Sequence, residues 1–276
     1  IGPLLKASKI KKLAADGLNY DLYKLLSKAL RGHTRLKVQG GLVSQLRKVK
    51  DEGEQKLMKK AGEITVAGMK AAYETIRSGV TEIDVGAEIE YAMRKNGGYG
   101  TAFETIVASG IRSAYPHGGC ALREIKKGDL VVVDIGSKYE HYCSDMTRTF
   151  VAGKPTDKQS KLYDIVKQAQ EKAYHAIKAK AKGKDVDQVA RKVIDDAGYG
   201  ENFNHGLGHG VGLEIHEPPV LSPMSKDRLA AGNVVSNEPG IYFVGYGGFR
   251  IEDTVMLKKR VSEKLTDGYY SLDTAK

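Results

Sequence analysis

Residues 131–150 read VVVDIGSKYEHYCSDMTRTF, and this stretch decides the fold because an apolar run leads into two separated aspartates. The segment 129–134 contains a run that is apolar on both faces, which is typical of a strand in the middle of a sheet. The segment 142–151 predicts its antiparallel neighbour. A turn centred between Tyr139 and Glu140 would join the two strands into a hairpin.

In this register Asp134 and Asp145 would be cross-strand partners on one face of the hairpin. Directly opposed side chains approach within about 5 Å at Cβ, where two like charges are destabilising. A cation bound between the two carboxylates would compensate for that repulsion. Thr147 lies on the same face as Asp145 and is a candidate hydrogen-bond partner of the site. The alternative is that both aspartates only end strands or cap a turn.

Residues 204–219 read NHGLGHGVGLEIHEPP and hold three of the seven histidines, His205, His209 and His216. Four alternating glycines disfavour a helix, so the spacing is not that of a helical zinc motif. In an extended chain His205 and His209 share a face, and the glycines let the backbone pass close to a ligand or ion. His216 reaches the same site only if the chain bends. The alternative is a buried strand that carries histidines without a ligand.

Residues 236–257, SNEPGIYFVGYGGFRIEDTVML, add two glutamates and one arginine. Glu238 stands just before a Pro-Gly turn. Arg250 and Glu252 flank a single residue and therefore face the same way along a strand. We interpret Glu252 as a metal ligand and Arg250 as a substrate-binding group, although each residue alone would also fit ordinary surface charge.

Together these segments predict a site of four carboxylates and one imidazole. The predicted metal ligands are Asp134, Asp145, His209, Glu238 and Glu252. Such an oxygen-rich set favours Mn, Co or Fe(II), with zinc as a further candidate. Four negative charges match two divalent cations, which at a separation of roughly 3.5–4 Å bridge a water, lower its pKa and stabilise a tetrahedral intermediate. The sequence therefore predicts a dinuclear hydrolytic site.

The segments around these motifs alternate paired helices with strands. Apolar residues at helical spacing predict a helix over 52–77, and Thr81 with Asp84 resembles a capping box that opens a second helix. Two further helices are predicted over 157–182 and 185–197. The first pair precedes the aspartate hairpin, and the second pair precedes the histidine and glutamate segments.

Glycine-rich strands complete the chain, with turns expected at Pro218-Pro219 and Gly247-Gly248. Helices and antiparallel strands thus occur in two similar rounds, which predicts an α+β fold with pseudo-twofold duplicated helix–sheet halves. We assign residues 51–276 to one catalytic domain. Residues 1–50, with a short helix at Tyr20–Leu30, are interpreted as the residual C-terminal part of an N-terminal domain plus a linker.

The composition of the 276 residues limits the class of protein. Hydrophobic residues make up 41%, enough for a core, and no apolar run approaches the roughly 18–20 residues of a membrane span. The first residues do not predict a signal peptide, because they lack a basic region and a small-residue cleavage site. Cys120 and Cys143 have no CxxC partner, which fits a reducing cytosol, so we predict a cytoplasmic protein without a membrane partner.

Positive charge is concentrated near the N-terminus. Residues 1–60 hold 15 Lys and Arg against 5 Asp and Glu, whereas the remaining residues hold 29 of each. Nucleic-acid binding is one interpretation of this excess. No aromatic-interleaved basic motif accompanies it, so we favour a solvated basic face and expect no nucleic-acid partner.

The order and local sequences of these motifs resemble the pita-bread metallopeptidases, a group that contains methionine aminopeptidase, aminopeptidase P and prolidase. The resemblance covers about residues 50–270 and rests on the hairpin, on HGLGHGVGLEIHEPP, on NEPGIY and on GGFRIED. It implies the pita-bread fold and a dinuclear metallopeptidase. Relatives of this type usually carry a full N-terminal domain that mediates dimerisation, so a homodimer is implied, although residues 1–50 resemble only the end of that domain.

The resemblance also implies roles for the individual ligands. Asp134 and Glu252 would bridge or chelate the pair of ions. Asp145 would bind one ion, and His209 would bind the other. Glu238 would be a ligand that also shuttles the proton from the attacking water.

His117, in the loop AYPHGG, matches the histidine with which the family contacts the scissile peptide, and His216 would be a second catalytic partner. An arginine two residues before the last glutamate and a histidine four before the ligand histidine resemble prolidase and aminopeptidase P. By that likeness Arg250 would bind the substrate, and His205 with His216 would line a proline pocket. We therefore expect hydrolysis of the Xaa-Pro bond in dipeptides or at peptide N-termini.

Three alternatives stand beside this expectation. A methionine aminopeptidase would share the ligands but would lack the arrangement of Arg250 and His205. A creatinase-type amidinohydrolase shares the fold but works without metal, and five intact ligands speak against it. A non-enzymatic pita-bread protein that binds ribosomes or RNA would tend to lose ligands, whereas all five are present.

Overall fold

The chain folds into two units, Ile1–Arg47 and Lys48–Lys276. The structure, a computed structural model, describes residues 2–259 and 261–274. None of the helices in these ranges is both long and apolar enough to cross a membrane. The interpretation of residues 1–50 as the end of a preceding domain stays a prediction.

The smaller unit contains two short strands and three helices. Its elements are α1 (Gly2–Ala7), β1 (Lys12–Ala15), α2 (Tyr20–Leu30), β2 (Arg35–Val38) and α3 (Leu42–Arg47). Strands β1 and β2 pair in parallel. Helix α2 is confirmed, and its N-cap Asn19 accepts a hydrogen bond from Leu22 N. Asp16 accepts hydrogen bonds from Gly41 N and Val43 N and thereby holds the start of α3.

The larger unit contains two similar rounds, which we name the first half (residues 52–151) and the second half (residues 157–256). The first half consists of α4 (Glu52–Thr75), α5 (Glu82–Lys95), β3 (Gly100–Thr101), β4 (Ile106–Ser109), a 3₁₀ helix (Gly110–Ala114), β5 (Leu130–Ile135), β6 (Ser137–Tyr139), β7 (Tyr142–Cys143) and β8 (Met146–Val151). The capping box predicted at Thr81 and Asp84 begins α5.

The second half repeats a long helix, a shorter helix and a set of strands. It consists of α6 (Asp157–Ala176), α7 (Gly183–Asp196), a 3₁₀ helix (Gly200–Asn202), β9 (Gly208–Gly210), β10 (Glu217–Leu221), β11 (Val234–Asn237), β12 (Gly240–Phe243), β13 (Gly247–Arg250) and β14 (Glu252–Met256), and β15 (Glu263–Lys264) follows it. The helix predicted over 157–182 ends at Ala176 instead, and Lys180 in the connection to α7 takes the left-handed conformation with φ 74°.

One antiparallel sheet joins the two halves. Its strands follow the order β10-β9-β11-β14-β8-β5-β4, with β15 beside β14. At the centre, β8 of the first half pairs with β14 of the second half, and Thr147 lies opposite Glu252. The predicted α+β fold with two helix–sheet halves is confirmed.

Each half buries its helix pair against its own strands. Fully buried core residues of the first half include Ile64, Met69, Ile89, Val133 and Phe150. Those of the second half include Leu162, Val166, Ile194, Val235 and Val255. Burying one such side chain contributes roughly 1.5–3 kcal/mol, so each half has an apolar core of its own to hold its strands in place.

Two predicted turns are wrong. Pro218-Pro219 lies within β10, which is the edge strand of the sheet, where the missing N–H of proline leaves no ladder hydrogen bond unmade. Gly247-Gly248 begins β13 and is no turn. The reversal precedes it, closed by a hydrogen bond from Tyr246 N to Phe243 O.

The turn of the aspartate hairpin is centred one residue later than predicted. Asp134 lies opposite Thr147, so Asp134 and Asp145 are not direct cross-strand partners. The reason is a two-residue turn at Glu140 and His141, both with positive φ (46° and 71°), a conformation that suits the twist of hairpin strands. Asp145 is instead the diagonal neighbour of Asp134.

Candidate active site

A cavity of about 640 Å³ brings all nine predicted site residues together. Its lining includes His117, Asp134, Asp145, His205, His209, His216, Glu238, Arg250 and Glu252. Apolar side chains also line it, among them Phe103, Ile106, Ile215, Val220 and Leu221. A concave site of this size with convergent polar groups is typical of small-ligand binding.

The order of the strands explains why the five predicted metal ligands converge. Asp134 lies in β5, and Asp145 directly precedes β8. Glu252 begins β14 and Glu238 directly follows β11, while His209 is the middle residue of β9. These five strands are consecutive in the sheet, so side chains far apart in the sequence become neighbours.

His209 has close contacts with the carboxylates around it. Its Nε2 lies 3.2 Å from Glu238 Oε1 and 3.6 Å from Asp145 Oδ2. Ligand atoms of Asp145, His209 and Glu252 all lie within 4.8 Å of one another. The Nδ1 of His209 is 3.1 Å from the Gly210 carbonyl oxygen, which assigns the N–H to that nitrogen and directs Nε2 at the acids.

Three carboxylate oxygens in this group lack a hydrogen-bond donor. Asp134 Oδ1, Asp145 Oδ1 and Glu252 Oε1 are buried and accept no hydrogen bond from any residue in the described ranges. Leaving a buried polar atom without a partner costs roughly 1–3 kcal/mol, and more when the group is charged. Divalent cations would coordinate such oxygens, and an imidazole beside them suits Mn, Co or Fe(II). The donor set therefore fits a divalent metal centre.

Burial and mutual repulsion perturb the acids of this group. Burial, together with the Glu252 and Asp134 carboxylates, raises the pKa of Asp145 well above its usual value. Burial, together with Glu238 and Asp134, does the same to the pKa of Glu252. Burial would also raise the pKa of Glu238, but contact with His209 outweighs it and lowers that pKa. If all were ionised, the carboxylates of the site would carry more negative charge than the neighbouring side chains of Arg250 and His209 can neutralise.

Arg250 links the two halves at the site. Its Nη2 donates to Asp134 Oδ2 at 2.6 Å, and its Nε donates to Thr147 Oγ1 at 3.2 Å. Thr147 in turn donates to Glu252 Oε2 at 2.6 Å, so the predicted contact of Thr147 with the site is present. Arg250 is only 2% exposed, and these contacts hold two predicted ligands by their second oxygens. Its predicted role in substrate binding stays a prediction.

Tyr242 is a site residue that the sequence analysis missed. Arg250 Nη1 donates to its Oη at 2.9 Å, which leaves the phenol O–H for His205 Nε2 at 3.0 Å. His205 Nδ1 lies 2.8 Å from the Gly206 carbonyl oxygen, and burial lowers the pKa of His205, so the ring is neutral with its proton on Nδ1. Burial raises the pKa of Tyr242 to about 12 and keeps it protonated. Its place in NEPGIY, just after Glu238, was the available signal.

His117 and His216 lie on the exposed side of the cavity. The chain bends over residues 212–216, as the sequence required if His216 was to reach the site. The ring of His216 packs edge-on against His209 with centroids 4.2 Å apart. Burial and the neighbouring His209 and His117 lower the pKa of His216, so a neutral imidazole faces the cavity at neutral pH.

The glycines of β9 serve strand packing. A Cβ at Gly208 would lie 2.3 Å from Ser236 O, and one at Gly210 would lie 2.4 Å from Glu217 O. Both positions require glycine because β9 is enclosed by β10 and β11. Contacts with neighbouring strands thus account for both glycines, and the interpretation that the glycines admit a ligand stays a prediction, since Gly206 and Gly208 also line the cavity.

Comparisons with known proteins agree with this geometry. Residues 56–259 match metallopeptidase family M24. A Xaa-Pro dipeptidase of Pyrococcus horikoshii is 48% identical over 225 residues, which cover 82% of this chain and 64% of the relative. A Xaa-Pro dipeptidase of Pyrococcus furiosus is 46% identical, with 82% of this chain and 65% of the relative covered. The chain thus spans slightly less than two thirds of the length of these relatives.

Solved structures show the same fold. A Xaa-Pro dipeptidase from Bacillus anthracis superimposes with a TM-score of 0.95 at 40% identity, covering 99% of this chain and 77% of that chain. A prolidase from Pyrococcus furiosus superimposes with a TM-score of 0.90 at 40% identity, covering 97% of this chain and 80% of that chain. These likenesses confirm the pita-bread fold. The chain therefore belongs to metallopeptidase family M24.

Proposed function

We propose that this protein is a metal-dependent exopeptidase that hydrolyses the Xaa-Pro bond of dipeptides or of peptide N-termini. The observation that carries the proposal is the cavity in which Asp134, Asp145 and Glu252 each direct a buried, unpartnered oxygen beside His209. Membership of family M24 implies a divalent metal cofactor. The specificity for proline is supported by the relatives, two of which are Xaa-Pro dipeptidases.

Two divalent ions, Mn, Co or Fe(II) with zinc as a further candidate, are the proposed cofactor. Their proposed ligands are Asp134, Asp145, His209, Glu238 and Glu252. When bound, such ions supply Lewis acidity that lowers the pKa of water and polarises a peptide carbonyl. Arg250 and Thr147 would keep Asp134 and Glu252 in place through the hydrogen bonds that they donate.

Glu238 is the proposed proton acceptor. Contact with His209 lowers its pKa, so its carboxylate is ionised at neutral pH and can take a proton from an attacking water. The same group would return that proton to the leaving imino nitrogen of proline. His117 and His216 would contact the scissile peptide, because both line the cavity and lie on its exposed side.

Substrate recognition is assigned to the remaining wall of the cavity. The apolar side chains of Ile215, Val220 and Leu221 offer a surface for a pyrrolidine ring. His205 would close this proline pocket, and Arg250 would contact the substrate backbone or carboxylate. The methionine aminopeptidase alternative is not favoured, since the named relatives are Xaa-Pro dipeptidases. No observation in the described residues supports the ribosome- or RNA-binding alternative.

We also propose that the protein forms a homodimer and is located in the cytoplasm. The dimer follows from the family resemblance, and sedimentation of the purified chain would test it. The location follows from cysteine usage, and Cys120 and Cys143 are not joined by a disulfide in the structure. Fractionation of the source cells would test the location.

Peptide hydrolysis after metal loading tests the activity. We expect release of proline from Xaa-Pro dipeptides, or of the first residue from longer peptides with proline second, after loading with Mn or Co. Release of Met from Met-Ala-Ser peptides would instead favour the methionine aminopeptidase. Absence of turnover on every Xaa-Pro peptide, with bound metal verified, would reject the proposal.

Metal analysis tests the centre separately. We expect about two ions per chain in the wild type and about one in Asp145→Asn, because the neutral amide removes one of the charged ligands. Asp164→Asn, on the exposed face of α6, is the matched control and should keep both ions. An Asp145→Asn protein with the metal content and activity of the wild type would contradict the ligand assignment.

A further inference from the structure

The segment that carries His117 is mostly loop. We name residues 109–121 the His117 loop; it begins at the end of β4, contains one 3₁₀ helix, and returns to the N-terminus of α5. Its Pro116 carbonyl accepts a long hydrogen bond from Arg250 Nη2 at 3.4 Å. This hydrogen bond is weak, so the residues of the metal centre contribute little to holding the loop.

A single buried carboxylate closes the base of the His117 loop. Glu82 has no exposed surface, and its Oε1 accepts hydrogen bonds from Ser109 N at 2.8 Å and Ser109 Oγ at 2.7 Å. Its Oε2 accepts from Ala121 N at 2.9 Å. The first and last residues of the loop therefore meet on one side chain, which the metal centre does not use.

Arg112 extends this contact to the neighbour of His117. Its Nε donates to Glu82 Oε2 at 3.1 Å, and its Nη2 donates to the Gly118 carbonyl oxygen at 2.5 Å. The planar guanidinium thus spans from the buried carboxylate to the residue that follows His117. Arg112 remains one third exposed, so it can be replaced without opening a core.

Burying the charged carboxylate of Glu82 costs desolvation free energy, and this cost is not explained by a packing role alone. A buried ion pair is weak evidence for stability, because desolvation offsets most of the attraction between its members. Glu82 is the first residue of α5, where the helix dipole favours a negative charge, and its two oxygens receive donors from both ends of the loop. Such an arrangement fixes one loop conformation.

We propose that Glu82 and Arg112 are positioning residues that hold His117 toward the cavity for contact with the substrate. The proposal rests on the proposed peptidase function, since it assigns His117 a contact with the scissile peptide. Neither Glu82 nor Arg112 is a predicted metal ligand, and neither lines the cavity. They act through the backbone at Ser109, Gly118 and Ala121.

Steady-state kinetics of Arg112→Ala, Arg112→Lys and Glu82→Gln test the proposal. We expect Arg112→Ala to lower kcat about tenfold to hundredfold, because a displacement of a reacting group by roughly 1 Å has that effect. KM should change less than about threefold, and metal content should stay at the wild-type value. Arg112→Lys should lose less activity than Arg112→Ala, because the lysine ammonium can donate to either Glu82 Oε2 or the Gly118 carbonyl oxygen but not to both.

The matched control is Arg94→Ala. Arg94 lies on α5, the helix that carries Glu82, and donates to the carbonyl oxygen of Tyr99 at 2.9 Å, outside the His117 loop. We expect wild-type kinetics for this variant. A loss equal to that of Arg112→Ala would show a general effect of weakening α5 and would overturn the proposal.

A double-mutant cycle with His117→Ala separates positioning from stability. If Arg112 acts through His117, Arg112→Ala in the His117→Ala background should cause no further loss of kcat. If the double variant instead lost kcat by the product of the two single losses, Arg112 would act independently of His117 and the proposal would be overturned.

Amide hydrogen exchange gives a readout that does not require turnover. In Arg112→Ala and Glu82→Gln, residues 115–121 should exchange faster than in the wild type, while residues 252–256 should not change. Unchanged exchange in the loop would overturn the proposal. A wild type that binds metal but cleaves no Xaa-Pro peptide would reject the proposed function, and the exchange data would still decide whether Glu82 and Arg112 order the loop.

Discussion

The first and second halves are built alike but contribute differently to the site. Each has a long helix, a 14-residue helix and strands of the common sheet. The first half supplies two predicted ligands, Asp134 and Asp145, from six-residue strands rich in β-branched residues or from their ends. The second half supplies His209, Glu238 and Glu252 from strands of three to five residues.

This difference indicates that two halves of the same architecture have different roles, with the first half mainly supporting the site and the second half supplying most of its predicted ligands. The strands β5 and β8 pair over six residues, and this ladder positions Asp134 and Asp145. The strand β9 forms one ladder pair with β11, Gly210 with Val235, and carries His209, whose backbone N–H donates to Ser236 Oγ. Both halves are needed, because the predicted ligands meet only where β8 and β14 pair.

The largest of the three effects that would test this division is expected for Arg250→Lys. Arg250 belongs to the second half and holds Asp134 of the first half, together with Thr147 and Tyr242. Lysine cannot reproduce the planar fork, so we expect kcat/KM to fall about tenfold to hundredfold. That loss corresponds to about 1.4–2.7 kcal/mol of transition-state stabilisation.

The same variant distinguishes two roles of Arg250. If the residue mainly holds Asp134, metal affinity and kcat should fall together with little change in KM. If it mainly binds the substrate carboxylate, KM for a dipeptide should rise, whereas a dipeptide amide should be unaffected. Arg228→Lys, an exposed arginine that donates to the Lys180 carbonyl, is the control and should behave as the wild type.

An intermediate effect is expected for two matched core substitutions. Val85 and Val186 are each the fourth residue of their helix, α5 and α7, and are 0% and 1% exposed. Val85→Ala and Val186→Ala should each lower the free energy of unfolding by about 1.5–2 kcal/mol, from lost burial and a small cavity. Urea unfolding would measure both.

The comparison of these two variants tests whether the halves unfold together. One cooperative transition with equal slopes should describe both proteins, because the halves share a continuous sheet. A second transition in one variant only would show that the halves are separate folding units.

The smallest effect concerns the contact of Lys48, just before the first half, with Asp227 of the second half. Lys48 Nζ donates to Asp227 Oδ1 at 2.6 Å, and Val220 N donates to Oδ2 at 2.9 Å. Partial burial would raise the pKa of Asp227, but these donors outweigh it and lower that pKa. A partly exposed pair of this kind contributes no more than about 1 kcal/mol.

The sign of the pH dependence follows from the lowered pKa. The stabilisation is present above the unfolded pKa, near 3.8, and is lost as the pH falls through the still lower folded pKa. The difference in unfolding free energy between wild type and Asp227→Asn should therefore be constant from about pH 7 to 5 and shrink below about pH 4. A difference that grows on acidification would contradict the assignment.

Much of the first half could be predicted because its signals are local. The capping box of α5 lies within four residues, and the helical spacing of apolar residues placed α4 within two residues of its observed end. In the second half, the length of α6 and the turns at Pro218-Pro219 and Gly247-Gly248 were wrong. Whether a proline lies in an edge strand, or a glycine between closely packed strands, depends on segments distant in sequence, which local patterns do not show.

The sequence by itself predicted which residues line the cavity and in what order: four carboxylates and one histidine as predicted ligands, and the flanking His117, His205, His216 and Arg250. Their chemistry and charge balance pointed to divalent metal without any coordinates. Only the tertiary structure decided that Asp134 faces Thr147, that Arg250 holds Asp134, and that Tyr242 lies between Arg250 and His205. The physical reason is that turn geometry and strand order set these contacts, and both depend on packing between segments distant in sequence.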